Sequence, residues 1–267
     1  MRKSALLIIV LLAGRVSIAA AQQTLQDLTF VATSDGTVQN YVLLLPAKFD
    51  SSAQHDVLIA LHGHGSDRWQ YIKAARDETR AASDSAAKYQ MIYVSPEYRG
   101  TMSWMGPKAE GDLTQIITIL KKEYRIGRII LTGGSMGGTS ALTYAALHPD
   151  LIDGVASMNG TANQLEYTGF QEAISASFGG TKDQIPEEYK LRSAEYWPER
   201  LTMPIAITAS GQDATIPPAS VLRLANILQN LHRKVLLIYE KSEGHKTSYA
   251  DAITALDFAI EGASYAR

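Results

Sequence analysis

The chain has 267 residues, 46% of them hydrophobic and 19% charged, with a formal net charge of −2. That length and apolar content suit one domain with a sizeable core, and near-neutrality gives no electrostatic basis for binding nucleic acid or acidic membranes. There is no cysteine, which excludes disulfides, a thiol nucleophile, thiolate metal sites and a lipidated N-terminal Cys.

Arg2 and Lys3 precede an apolar run from Ala5 to Ala13, and Ala19-Ala20-Ala21 supplies small residues ahead of Gln22. This order of charge, apolar stretch and small residues reads as a secretory signal peptide over 1–21, cut after Ala21, with an uncleaved N-terminal anchor as the alternative. The apolar run is too short for a comfortable membrane span. The expectation is a secreted or periplasmic protein with no membrane association after cleavage, consisting of a single domain over 22–267. Export without disulfides fits a bacterial protein whose core is large enough without covalent staples.

Leu25 to Ala32 and Gln39 to Leu45 read as two strands around a turn at Ser34-Asp35-Gly36, and Pro46 ends the second. Asp56 to Leu61 is an apolar run, hence a buried strand, and it opens into His62-Gly63-His64-Gly65-Ser66-Asp67. Trp69 to Lys88 has helical composition. Met91 to Ser95 is another short buried strand. Asp112 to Tyr124 places Leu113, Ile116, Ile117 and Leu120 at helical spacing, with Asp112 near its start and Lys121-Lys122 near its end, as the helix dipole favours.

Arg128 to Thr132 is the next buried strand. It stops at Gly133-Gly134-Ser135-Met136-Gly137-Gly138, and Thr139 to His148 then reads as a helix closed by Pro149. Gly154 to Met158 is a further strand. Residues 163–200, with Gly179-Gly180, Pro186, Pro198 and several aromatics, read as an insertion of short helices and loops over the strand ends. Met203 to Ala209 and Val235 to Tyr239 are the last strands, alternating with helices over Pro218 to Leu231 and Tyr249 to Glu261. Buried strands alternating with helices predict an α/β fold: a mostly parallel sheet covered on both faces, with antiparallel N-terminal edge strands.

Strand, G-x-S-x-G, helix is the context that exposes a serine on a strained turn, and glycines two before and two after it leave room for that turn. Gly133 and Gly137 occupy those places around Ser135. In such sheets chemistry collects at the carboxyl ends of strands. Asp213 follows the Met203 to Ala209 strand, in a loop closed by Pro217-Pro218. His245 follows the Val235 to Tyr239 strand, before the last helix. A serine hydroxyl is a poor nucleophile until a base takes its proton. His245 is the candidate base, and Asp213 the carboxylate that orients and charge-stabilises it. Glu240 and Glu243 are reserve acids, but they lie beside His245 in the chain. A tetrahedral intermediate would need two N–H donors. Met136, directly after the serine, is one; the loop after the Asp56 to Leu61 strand supplies the other, with His64 the choice and Gly65 the reserve.

His62 and His64 also have a spacing that can hold zinc, but no third ligand accompanies them, so no metal site is assigned. His62 reads as a packing residue under the site, and His55, His148 and His232 as structural. Ser-His-Asp chemistry needs only water, so no cofactor is implied. Trp69, Arg99 and Trp104 follow strand ends and are candidate substrate contacts, as aromatics suit sugar rings or a phenolic acyl group. Packing of these aromatics onto the core is the competing reading.

With Leu61-His-Gly-His-Gly65, Gly133-Gly-Ser-Met-Gly137, Gly211-Gln-Asp213 followed by Pro217, and Gly244-His245 in the order serine, acid, histidine, the chain resembles an α/β-hydrolase. The resemblance covers roughly 39–261. It is to the secreted esterase and prolyl-oligopeptidase-like branch, near polyhydroxybutyrate-depolymerase-like, feruloyl and acetylxylan esterases. It implies a secreted serine carboxylesterase acting through an acyl-enzyme on a small-molecule or polysaccharide ester, such as acetyl or feruloyl groups on plant polysaccharide. A small serine peptidase or amidase, and a non-catalytic exported binding protein on the same fold, are the competing expectations.

Overall fold

A computed structural model describes residues 25–264. The signal-peptide reading of 1–21 therefore lies outside the described residues. Eight strands form one sheet: β1 (Leu25–Val31), β2 (Val38–Leu44), β3 (His55–Leu61), β4 (Ile92–Pro96), β5 (Ile126–Gly134), β6 (Gly154–Met158), β7 (Ile205–Ser210) and β8 (Val235–Glu240). Their spatial order is β1-β2-β4-β3-β5-β6-β7-β8. β2 runs antiparallel to both β1 and β4, and every pair from β4 to β8 is parallel. The antiparallel edge and the parallel remainder are those read from the sequence.

Side chains alternate across a strand, so a strand covered on both faces reads as a continuous apolar run. β3 shows this directly. Val57, Ile59 and Leu61 enter one core layer, and Leu58 and Ala60 the other. The first layer is covered by α3 (Pro107–Glu123), α4 (Met136–Leu147) and α7 (Ala219–Asn230); the second by α2 (Asp77–Lys88) and α8 (Tyr249–Gly262). α2 and α8 meet through alanines, among them Ala81, Ala82, Ala252 and Ala255, whose small side chains let the two helices approach closely. Residues 163–200 carry α5 (Gln171–Phe178), α6 (Pro186–Leu191) and two 3-10 turns.

Two helices depart from expectation. The stretch from Trp69 to Lys88 is not continuous: α1 (Gln70–Lys73) is a single turn, and Ala74 is extended before α2 starts at Asp77. Asp77 and Glu78 favour a fresh helix N-terminus there, and Thr79 Oγ1 donates to the Ala74 and Arg76 carbonyls at the break. α3 begins at Pro107, well before Asp112. Proline suits the first helical position because its missing N–H would have no partner there.

Candidate active site

Ser135 sits between β5 and α4 with φ 59° and ψ −121°. This is a costly conformation for a residue with a Cβ, and the surrounding contacts enforce it. A Cβ on Gly133 would lie 2.6 Å from the Leu61 carbonyl oxygen, and one on Gly137 would overlap that same oxygen. The two flanking glycines are therefore required by the closeness of α4 to β3. Ser135 N–H is pinned to the Met158 carbonyl at 2.8 Å. The serine projects from the turn into a cavity of about 570 Å³ that His64, Asn159 and His245 also line.

Asp213 follows β7, and its side chain is 1% exposed. Its Oδ1 accepts the N–H groups of Thr215 (2.9 Å) and Ile216 (2.8 Å). Its Oδ2 accepts from His245 Nδ1 at 2.6 Å and from Asn159 Nδ2 at 3.2 Å. Burial by itself would raise this carboxyl's pKa, but the bonds from His245 and Ile216 outweigh it and hold it below its ordinary value. An ionised carboxylate on Nδ1 keeps that nitrogen protonated, which leaves the lone pair of His245 on Nε2. Structure thus brings Ser135 and His245 to one cavity, and Asp213 to His245.

Of the N–H groups in the loop after β3, that of Gly63 goes to Gln70 Oε1 (2.7 Å) and that of Gly65 to the Thr101 carbonyl (2.8 Å). His64 N–H has no protein acceptor among the described residues, which favours His64 over Gly65 as a donor. Met136 is the first residue of α4, so its N–H has no carbonyl one turn before it. Met136 lies at the N-terminus of α4, which favours negative charge. His62 belongs to the interior: it is fully buried, and its ring nitrogens reach the carbonyls of Gly63 and Glu97.

The three candidate substrate contacts are placed elsewhere. Trp104 is fully buried, because the loop carrying it turns through positive φ at Tyr98, Arg99, Gly100, Trp104 and Met105 and drives the indole inward. Arg99 is consumed by Asp35 (2.9 Å) and Asp112 (2.7 Å). Trp69 lies outside the cavity wall, with the Lys73 ammonium 3.8 Å from its ring centroid. The wall is instead supplied by Gln70, Tyr71, Glu78, Phe170, Thr215 and Lys246. Phe170 reaches it from the 163–200 insertion.

Asn159 is the residue that sequence reading missed. It follows β6 with φ 48°, and its Oδ1 accepts from Thr247 Oγ1 at 2.6 Å and Thr208 Oγ1 at 3.2 Å. One side chain thereby joins the ends of β6 and β7 to the loop after β8. The available signal was a polar residue followed by glycine at a strand's carboxyl end.

Residues 82–259 match the model of the prolyl oligopeptidase family, Peptidase_S9. No curated protein matches the chain in sequence. Among solved structures, the chain is similar to a putative dipeptidyl aminopeptidase IV from Bacteroides ovatus, at 17% identity and a TM-score of 0.68, over 89% of this chain but 35% of that one. It thus spans about a third of that peptidase's length. It is also similar to a fluorophosphonate-binding serine hydrolase from Staphylococcus aureus, at 17% identity and a TM-score of 0.64, over 88% of this chain and 95% of that one. A third likeness is to a ferulic acid esterase from Anaeromyces mucronatus in complex with ferulic acid, at 17% identity and a TM-score of 0.64, over 90% of this chain and 92% of that one. These likenesses establish the fold. The family match spans more than half the chain and includes the elbow at Ser135, Asp213 and His245. The chain therefore belongs to the prolyl oligopeptidase family and is a hydrolase of the α/β-hydrolase fold.

Proposed function

We propose that the protein is a serine carboxylic ester hydrolase that works through an acyl-enzyme on Ser135. The observation carrying this reading is the 2.6 Å bond from His245 Nδ1 to the buried Asp213, with His245 and the elbow serine on one cavity. As Ser135 Oγ attacks the ester carbonyl, His245 Nε2 takes its proton, and Asp213 stabilises the imidazolium. The carbonyl oxygen becomes an oxyanion facing the N–H groups of Met136 and His64. Collapse expels the alkoxide, which takes the proton from His245. Water then repeats the cycle on the acyl-enzyme and releases the acid.

Acetyl or feruloyl esters of plant polysaccharide are the proposed substrates, and likeness to a ferulic acid esterase fold supports them. Residues 1–21 are proposed to export the chain to the periplasm or beyond. Peptide or amide hydrolysis is the second reading, favoured by the family match itself, since the same steps cleave an amide when His245 protonates a leaving amine.

The test is hydrolysis of p-nitrophenyl acetate, longer p-nitrophenyl esters, methyl ferulate, acetylated xylan and a peptide p-nitroanilide by protein starting at Gln22, with Ser135→Ala alongside. Turnover of the natural-type esters, lost in the variant, is expected. Amide turnover rivalling ester turnover would select the second reading. Undiminished ester hydrolysis in Ser135→Ala would overturn the assignment of the nucleophile.

A further inference from the structure

The cavity holds two histidines in opposite surroundings. His245 Nδ1 faces a carboxylate, a pure acceptor. His64 Nδ1 faces Trp104 Nε1 at 3.1 Å, and an indole N–H can only donate. Nδ1 of His64 must therefore offer its lone pair to Trp104. Trp104 is not free to turn away: it is fully buried, and its backbone N–H lies 3.4 Å from Met136 Sδ. Phe170 packs on the His64 ring, with centroids 4.2 Å apart.

A neutral imidazole that accepts at Nδ1 carries its proton at Nε2. Desolvation around the ring lowers the pKa of His64, which favours that neutral form. The two ring nitrogens point away from each other, so an Nδ1 turned to the buried indole leaves Nε2 on the cavity side. No protein group among the described residues accepts that proton.

We propose that the His64 side chain, locked by Trp104 as the Nε2–H tautomer, donates a hydrogen bond to the substrate carbonyl oxygen at Ser135, so that His64 serves the oxyanion through its ring as well as its backbone. The inference rests on Ser135 being the nucleophile. It also explains the division of labour between the histidines. His245 Nε2 has a lone pair and takes a proton, whereas His64 Nε2 already carries one and can only lend it. Trp104 is then a positioning residue, acting on substrate through His64.

The test is long-range ¹H–¹⁵N NMR on histidine-labelled protein, before and after reaction with a fluorophosphonate, whose phosphoryl oxygen occupies the place of the oxyanion. The expected result is an Nε2–H tautomer for His64 at neutral pH and a downfield move of that proton in the adduct. Trp104→Phe should mix the tautomers. His64→Ala should lower kcat on the order of tenfold to a hundredfold with KM little changed, and His64→Gln, which keeps an N–H donor, should recover part of the loss. An Nδ1–H tautomer, an unmoved His64 proton in a labelled adduct, or an unchanged kcat in His64→Ala overturns this inference alone. Failure of Ser135 to label overturns the nucleophile assignment and this inference with it.

Discussion

Asn159 Nδ2 and His245 Nδ1 donate to the same oxygen, Oδ2 of Asp213. The two donors come from different strand ends, so the carboxylate that faces the histidine is also held by a side chain following β6. Asn159→Ala would remove one of the two donors to Asp213 Oδ2 and the acceptor shared by the Thr208 and Thr247 hydroxyls, which still pair with each other at 2.7 Å. Loss of one such bond, about 1–2 kcal/mol, corresponds to a kcat about tenfold lower. Asp213→Asn removes the charge and reverses the tautomer preference, for which a fall on the order of 10³–10⁴-fold is expected. Steady-state kinetics on p-nitrophenyl acetate would check both, and equal effects would contradict the hierarchy.

The elbow glycines make a steric prediction. Gly137→Ala places a methyl into the Leu61 carbonyl, and neither α4 nor β3 can yield. A loss on the order of 3 kcal/mol is expected. Gly134 is different: an added Cβ would meet nothing nearer than Tyr71 Oη at 3.4 Å. Gly134→Ala should keep its melting temperature within a few degrees of the parent, and thermal unfolding of the pair distinguishes the two positions.

Asp112 supplies a pH dependence. Its carboxyl, raised to about 6 by burial, keeps only part of the compensation offered by Arg99, and its Oδ2 has no hydrogen-bond partner. A carboxyl whose folded pKa is raised contributes stability that is full below its unfolded value and lost as pH rises through about 6. Asp112→Asn should therefore match the parent's stability near pH 4 and exceed it at pH 8, by roughly 1–3 kcal/mol. Denaturant unfolding at both pH values checks the sign, and a less stable variant at pH 8 would refute it.

Arg192 ties the insertion to the site. Its side chain is 3% exposed and bonds Glu110 (2.8 Å), Glu188 (2.6 Å) and the Met105 carbonyl (2.8 Å). Burial would raise the Glu110 carboxyl, but His148 and Arg192 together bring it below its ordinary value. Arg192→Met removes the cation between Glu110 and Glu188, leaving Glu110 with His148 alone and the Met105 carbonyl without its donor, at about 2 kcal/mol, and loosens the turn next to Trp104. Both a lower melting temperature and a lower kcat are expected. A destabilised variant with unchanged kcat would show that the insertion does not support the His64–Trp104 contact.

The sequence by itself determined the sheet and the positions at its edge where chemistry gathers. Strand burial and helix periodicity are local, repeated signals, and the elbow glycines report a steric need that no other residue meets. Ser135, Asp213 and His245 were legible because each follows a strand, and parallel strands end on one side. Side-chain partnership was not legible. Trp104 and Arg99 follow a strand end as Asp213 does, yet backbone turns through positive φ bury the first, and Asp35 and Asp112, distant in the chain, consume the second. Asn159 joins loops that are up to 88 positions apart in the chain. Which nitrogen of His64 carries its proton depends on an indole 40 residues away. Such choices rest on which donor meets which acceptor after packing, and only the tertiary structure decides that.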